Sequence, residues 1–179
     1  MDRRQKKTRE AIYRAFTELL KEENYSKITV QQIICRADIG RTTFYTHFET
    51  KDALLESLCT GIFEHVCSED LDKEKTHDYS HDHDIRAKLQ HILCHLQEHM
   101  DYLPGILSGE SRDIFMGYFK KHLENLFSRV NVPYAASVPQ DYILNHMVCA
   151  FAETVQWWSK NARYSPEEIS AFFFSTIPI

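Results

Sequence analysis

Residues 41–51 read RTTFYTHFETK, a run of hydrogen-bond donors broken by a single acid, Glu49. Wound as a helix over 41–47 with Ile39, Phe44 and Phe48 turned inward, the run leaves Arg41, Thr42, Thr43, Tyr45, Thr46 and His47 on the outside. That face offers a guanidinium, hydroxyls, a phenol, an imidazole and methyl groups, and it holds no carboxylate. Such groups donate to phosphate oxygens and, in the case of arginine and threonine, reach base edges. A carboxylate on the same face would repel phosphate. The residue types therefore suit a nucleic-acid backbone and groove, and the plainer alternative is a solvated polar face over a small helical core.

The elements that must position this face are legible from periodicity. Ile12, Ala15, Phe16, Leu19 and Leu20 recur at helical spacing and predict a first helix near 5–22, broken at Asn24. Thr29 followed by Gln32 is the pattern of a capping box, so a short helix is predicted over about 29–36, with Val30, Ile33, Ile34 and Ala37 on its apolar face. Asp38-Ile39-Gly40 predicts a tight turn into the 41–47 helix. Two short helices joined by such a turn make a helix-turn-helix pattern. Thr50 is placed to cap a fourth helix near 51–66, carrying Leu54, Leu55, Leu58, Ile62 and Phe63.

Downstream, residues 68–84 are acidic and nearly free of apolar side chains, the composition of a loop or a fraying helix end. Helices are predicted near 85–101, 111–130, 140–161 and 165–177, the last opened by Ser165-Pro166-Glu167-Glu168, another capping signature. Residues 102–105 turn the chain, and 131–139, with Pro133 and Pro139, link two helices. No segment alternates like a strand. The expected fold class is all-α: a three-helix head followed by a helical body, about nine helices, with domains at 1–50 and 51–179.

Charge separates the two parts. The whole chain of 179 residues carries a formal net charge of −5, which alone argues against a polyanionic partner. Residues 1–51 nevertheless hold 11 lysines and arginines against 7 acids, and the remainder holds 10 against 19. A basic head on an acidic body confines any polyanion to the head. Arg3, Arg4, Lys6, Lys7 and Arg9 read as a basic arm. No apolar run approaches the roughly 18 residues of a membrane span, and no apolar stretch follows the basic N-terminus as in a secretory signal. The five cysteines are scattered without a C-x-x-C pair, which fits reduced thiols and a cytoplasmic setting.

Ten histidines raise the question of a metal. His77, His81 and His83 sit among aspartates in the acidic segment, where a metal would meet little preorganisation. His91, His95 and His99 fall four apart, with His91 and His95 directed away from the apolar face, the pattern of a solvated stripe. No nucleophile motif, phosphate-cradling glycine loop or H-E-x-x-H occurs. The reading is of a protein without catalytic residues, metal or cofactor; a metal-dependent hydrolase would leave the 29–51 motif unexplained.

From Ile28-Thr29-Val30-Gln31-Gln32-Ile33 through Ala37 to Leu54, with its T-F-Y-x-H-F-x-x-K-x-x-L spacing, the chain resembles the DNA-binding signature of the TetR family, over roughly residues 8–55. The resemblance implies that Arg41, Thr42 and Thr43 reach base edges or phosphates in the major groove. It implies phosphate contacts for Tyr45, His47 and Lys51, and a helix N-terminus set against a phosphate by Thr29. Two departures stand out: Asp38 where many relatives have glycine, and Gly40 where a hydroxyl cap is usual. The body's length and layout are similar to the small-bodied subgroup that includes dihydroxyacetone-kinase operon regulators.

For residues 52–179 the resemblance implies a ligand-binding and dimerisation body. Trp157, Trp158, Phe172, Phe173 and Phe174 occupy more sides of the last two helices than one core requires, and read as a homodimer interface. His99, Tyr102, Phe115, Tyr118, Phe119, Met147 and Phe151 are the candidate lining of a small-molecule pocket. The expected partners are thus a double-stranded operator, a second copy of the chain, and an effector. In the alternative, a protein partner replaces the effector and the body holds no pocket.

Overall fold

The computed structural model describes residues 3–67, 85–128 and 137–177. Among these, nine α-helices follow one another: α1 Arg3–Glu22, α2 Val30–Ala37, α3 Arg41–His47, α4 Lys51–Cys67, α5 Ile85–Gln97, α6 Leu103–Ile106, α7 Ser111–Phe127, α8 Gln140–Ser159 and α9 Pro166–Thr176. A 3-10 turn, Tyr25–Lys27, joins α1 to α2. No strand occurs among the described residues, so the all-α expectation holds. The acidic segment 68–84 with His77, His81 and His83, most of the 131–139 linker, and Val130 lie outside the described residues.

The chain forms two compact units: Met1–Gly61 with Asp101–Phe115, and Ile62–Met100 with Met116–Ile179. The first unit is therefore wider than the 1–50 head expected from sequence, because α6 and its flanks fold onto α1. Gly105 is the reason they can. A β-carbon there would stand 2.3 Å from the Leu20 carbonyl oxygen, so only a residue without one lets the two backbones meet. Lys21 pairs with Asp101 beside this contact, and the Ser108 hydroxyl donates to Asn24 Oδ1 at 3.1 Å.

Local chemistry fixes the short helices of this unit. The Thr29 hydroxyl accepts from the Gln32 amide at 3.2 Å, and the Gln32 side chain accepts from the Thr29 amide at 2.7 Å, so the capping box is closed in both directions. Thr50 caps α4 through the Ala53 amide at 3.0 Å. Helices of seven or eight residues are not stable alone in water; burial supplies the rest. Ile12, Phe16, Ile28, Ile33, Phe44, Phe48, Leu54 and Leu55 form the shared core. Across α1 and α2, Arg36 grips both carboxylate oxygens of Glu22 at 2.6 and 2.8 Å.

The second unit has its own aromatic core. Phe63 stacks on Phe119 at 5.1 Å, and Phe119, Phe127 and Phe173 surround Phe151 at centroid distances of 5.0 to 6.5 Å. Helix α5 packs on α9, and α8 on α9. The structure corrects the histidine stripe: His91 and His95 are buried, with ring centroids 4.4 Å apart and edge to face. Ile85, Leu89, Ile92, Leu93 and Leu96 are buried as well, so α5 is enclosed over more than one face, and a one-face reading of its periodicity fails there.

Candidate nucleic-acid interface

Helix α3 is anchored by Phe44, fully buried, and by Phe48 at its C-terminal end. Their rings lie 6.1 Å apart, and the Phe48 ring meets Tyr13 of α1 edge-on at 5.7 Å. With those two rings inward, Arg41, Thr42, Tyr45 and Thr46 are exposed, and Thr43 and His47 are half-buried at the edges. Arg41 lies over the Tyr45 ring at 5.7 Å, which orders the guanidinium without using its donors. The Thr46 hydroxyl donates to the Thr42 carbonyl at 2.9 Å. Four of the six polar side chains expected to face outward on α3 are thus exposed to solvent, and the seven residues of the helix include no acid.

Two cations, Lys51, to which the resemblance gives a phosphate contact, and Arg9, read as part of the basic arm, have partners inside the protein. Lys51 Nζ donates to the carbonyls of Tyr25 and Ile28, each at 2.8 Å. Arg9 is no part of a loose arm: it donates to the Tyr13 hydroxyl at 3.0 Å and to Ser57, and lies over the Phe48 ring at 5.1 Å. Arg3, Arg4, Lys6 and Lys7 are exposed on the first turns of α1. Tyr13 lies one helical turn from Arg9, but Ser57, Tyr25 and Ile28 lie too far along the chain from Arg9 and Lys51 for local sequence signals to find them.

The turn between α2 and α3 takes the conformation expected of its residues. Asp38 stands at φ 53°, ψ 52°, in the left-handed region that aspartate tolerates better than most side chains. The Ile39 amide closes back on the Ile34 carbonyl at 3.2 Å. An exposed carboxylate at this turn opposes any polyanion on α3. Asp38→Asn keeps the backbone tolerance and removes the charge. It is expected to raise affinity for unrelated duplex DNA about twofold at low salt and to lose that gain as salt screens the charge. Titration of both proteins against scrambled duplex checks this, and equal affinities would place Asp38 away from the DNA.

The body residues fall into different settings. Tyr102 and Phe115 are buried in the first unit; Phe119, Met147 and Phe151 are buried in the second, while His99 and Tyr118 are half-exposed. A cleft of about 200 Å³ is lined by Phe127, Ser128, Gln140, Asp141, Ile143, Leu144 and Met147, sharing only Met147 with the candidate pocket. Of the aromatic surplus, Trp157 is 47% and Phe172 43% exposed, whereas Trp158 is 1% and Phe173 2% exposed. Trp158 and Phe173 are core residues and present no area to a partner. Trp158 Nε1 donates to the Tyr164 carbonyl at 2.8 Å, and Trp157 stacks on Tyr164 at 5.6 Å. Phe174 is half-buried and lies beneath the Arg86 guanidinium, 4.1 Å away.

A capped α2, a tight turn and an α3 with a donor-rich outer face define a helix-turn-helix DNA-binding regulator. Residues 12–58 match the bacterial regulatory proteins of the tetR family, and residues 83–178 match the transcriptional regulator C-terminal region. The chain superposes on a TetR transcriptional regulator from Streptococcus agalactiae 2603V with a TM-score of 0.76 and 31% identity, covering 99% of this chain and 97% of that one. It is also similar in fold to the dihydroxyacetone kinase operon activator DhaS, with a TM-score of 0.68, 21% identity, and 94% and 93% of the two chains covered. YxbF of Bacillus subtilis (strain 168), an uncharacterized HTH-type transcriptional regulator, is 38% identical over 71 residues. That stretch is 37% of this chain and 19% of YxbF, so the match spans about a fifth of that curated relative. The chain belongs to the TetR family, whose members are transcription regulators and not enzymes. No described helix is long and apolar enough to cross a membrane.

Proposed function

We propose that this regulator binds a near-palindromic operator as a homodimer in the cytoplasm, represses from it, and is released when a small molecule binds the body. The observation that carries the DNA half is the outer face of α3, where Arg41, Thr42, Thr43, Tyr45 and His47 stand together over the buried Phe44. Arg41 and the two threonines read bases; Tyr45 and His47 hold phosphates; Thr29 sets the start of α2 against the backbone. Exposed Trp157 and Phe172 on α8 and α9 are the apolar area a second copy would cover, and a two-fold dimer demands an inverted repeat.

The packing of the body favours a second reading of the input. Phe119, Met147 and Phe151, three of the residues expected to line an effector pocket, are buried, and side chains taken up by the core suit an adaptor that recruits a protein partner in place of a small molecule.

Selection from a random duplex pool tests the DNA half. The expected product is an inverted repeat whose half-sites are centred about one helical turn, roughly 10 base pairs, or a multiple of it apart. An unrepeated half-site would overturn the homodimer, and no enrichment would overturn operator binding.

A further inference from the structure

The arginines of the first unit are engaged in different ways. Arg36 gives its donors to Glu22, and Arg9 gives donors to Tyr13 and Ser57. Arg41, the first residue of α3, gives none: among the described residues its guanidinium has no hydrogen-bond or ion-pair partner. Its central carbon lies 5.7 Å from the centroid of the Tyr45 ring. The two residues stand one helical turn apart, and long side chains on a helix lean back toward its N-terminus, so the Tyr45 ring falls over the turn that carries Arg41. The ring is itself held. It meets the fully buried Phe44 edge-on, with centroids 5.5 Å apart and planes at 89°.

A ring anchored on the core thus holds an exposed cation through the ring's π-face. That contact restricts the guanidinium and leaves its five N–H donors open. A phosphate accepts from many directions and is served equally by a mobile cation. A guanidinium held in one place suits a rigid, planar partner with two acceptors side by side. In the major groove guanine alone offers that pair, O6 and N7, whereas adenine sets a donor beside its N7. The first residues of a recognition helix are the ones that reach base edges, and Arg41 is the first of α3. The Tyr45 hydroxyl stands at the far end of the ring, so one side chain serves a phosphate with its tip and Arg41 with its face.

We propose that the Tyr45 ring is a positioning platform for Arg41, and that Arg41 held on it reads a guanine in each half-site. The proposal rests on α3 being the groove-facing helix. Removing the ring frees the guanidinium without deleting it, so discrimination falls at one base pair. Removing the hydroxyl costs a phosphate contact, which carries no sequence information and weakens every duplex alike. The two roles of Tyr45 are therefore separable by substitution.

The test measures the affinity of full-length protein for the duplex that the wild type selects from a random pool, and for the same duplex with each base pair of a half-site changed in turn. All binding is measured well below each protein's melting temperature. Arg41→Ala locates the base pair whose preference depends on Arg41; that base is expected to be guanine, with preference falling about tenfold or more. Tyr45→Phe keeps the ring and drops the hydroxyl, and is expected to weaken every duplex alike while preserving the preference at that pair. Tyr45→Leu drops the ring, and is expected to lower the preference at that pair alone, about threefold, with no further loss when added to Arg41→Ala. An unchanged preference at that pair in Tyr45→Leu would overturn the platform. A preference lowered at every position of the half-site would make the ring a support of α3 as a whole and overturn it equally. A base other than guanine at the Arg41 pair would overturn the assignment of the base. Uniform weakening by Arg41→Ala, with a salt slope lower by about 0.9, would make Arg41 a phosphate ligand and overturn the whole proposal. A wild type that selects no duplex would fail the DNA-binding reading itself, an outcome visible before any variant is made.

Discussion

Phe44→Ala is expected to destabilise the head strongly and to weaken duplex binding with it. Phe44 has no exposed surface, and its ring meets Tyr45 at 5.5 Å and Phe48 at 6.1 Å. Truncating a buried phenylalanine costs about 3–5 kcal/mol from lost transfer energy and the cavity left behind. A domain has only about 5–15 kcal/mol in hand. Helix α3 is seven residues long, too short to persist without its anchor, so the loss falls on the element that faces the DNA. Circular dichroism should show a midpoint lower by on the order of 10 °C. Phe44→Leu, which refills most of the volume, should recover all but about 1 kcal/mol. A Phe44→Ala protein that melts with the wild type and still binds its duplex would mean that the ring is not the anchor.

The second large effect is expected at Gly105, and there the sign is the informative part. Gly105 lies within α6 and has no positive φ, so intrinsic helix propensity favours alanine by about 1 kcal/mol. Space says the reverse. The added β-carbon would come within 2.3 Å of the Leu20 carbonyl oxygen and 3.2 Å of its carbon, and both obstacles are backbone, which cannot swing aside. Overpacking of this kind costs about 1–3 kcal/mol, and the upper end is expected because α1 must shift as a body. Denaturant unfolding of Gly105→Ala should show the lower midpoint. A midpoint equal to or above the wild type would mean that α6 does not close on α1 as described.

Several features of this molecule were legible because they are local. Thr29 with Gln32 and Ser165 with Glu168 signal their caps three residues apart, and both boxes are closed in the structure. Phe44 and Phe48 stand four apart on one face of a helix, so their inward role follows from spacing. The turn at Asp38 is written in a residue that accepts the left-handed region. What was not legible depends on distant partners. Nothing near Lys51 or Arg9 in the sequence announces the bonds of Lys51 to the Tyr25 and Ile28 carbonyls or of Arg9 to Ser57. Neighbouring aromatics split because successive helical residues point about 100° apart: Trp157 and Phe172 face out where Trp158 and Phe173 face in. Helix α6 has four residues, too few for a period to emerge, and its purpose lies in a glycine's contact with α1. The burial of His91 and His95 follows from how many sides of α5 are covered, which a single chain's periodicity does not encode.

The most direct test of the central claim is the affinity of Arg41→Ala for the duplex that the wild type selects. Arg41 is exposed and its only ring contact, in the described geometry, is Tyr45 on its own helix, so the substitution should leave the thermal unfolding curve superimposed on the wild type. A guanidinium reading a base edge is worth about 1–3 kcal/mol, and the predicted result is a loss of roughly tenfold or more on the selected duplex, with preference relaxed at the base it reads. An Arg41→Ala protein that keeps full affinity and the same base preference would show that this face of α3 does not enter the groove.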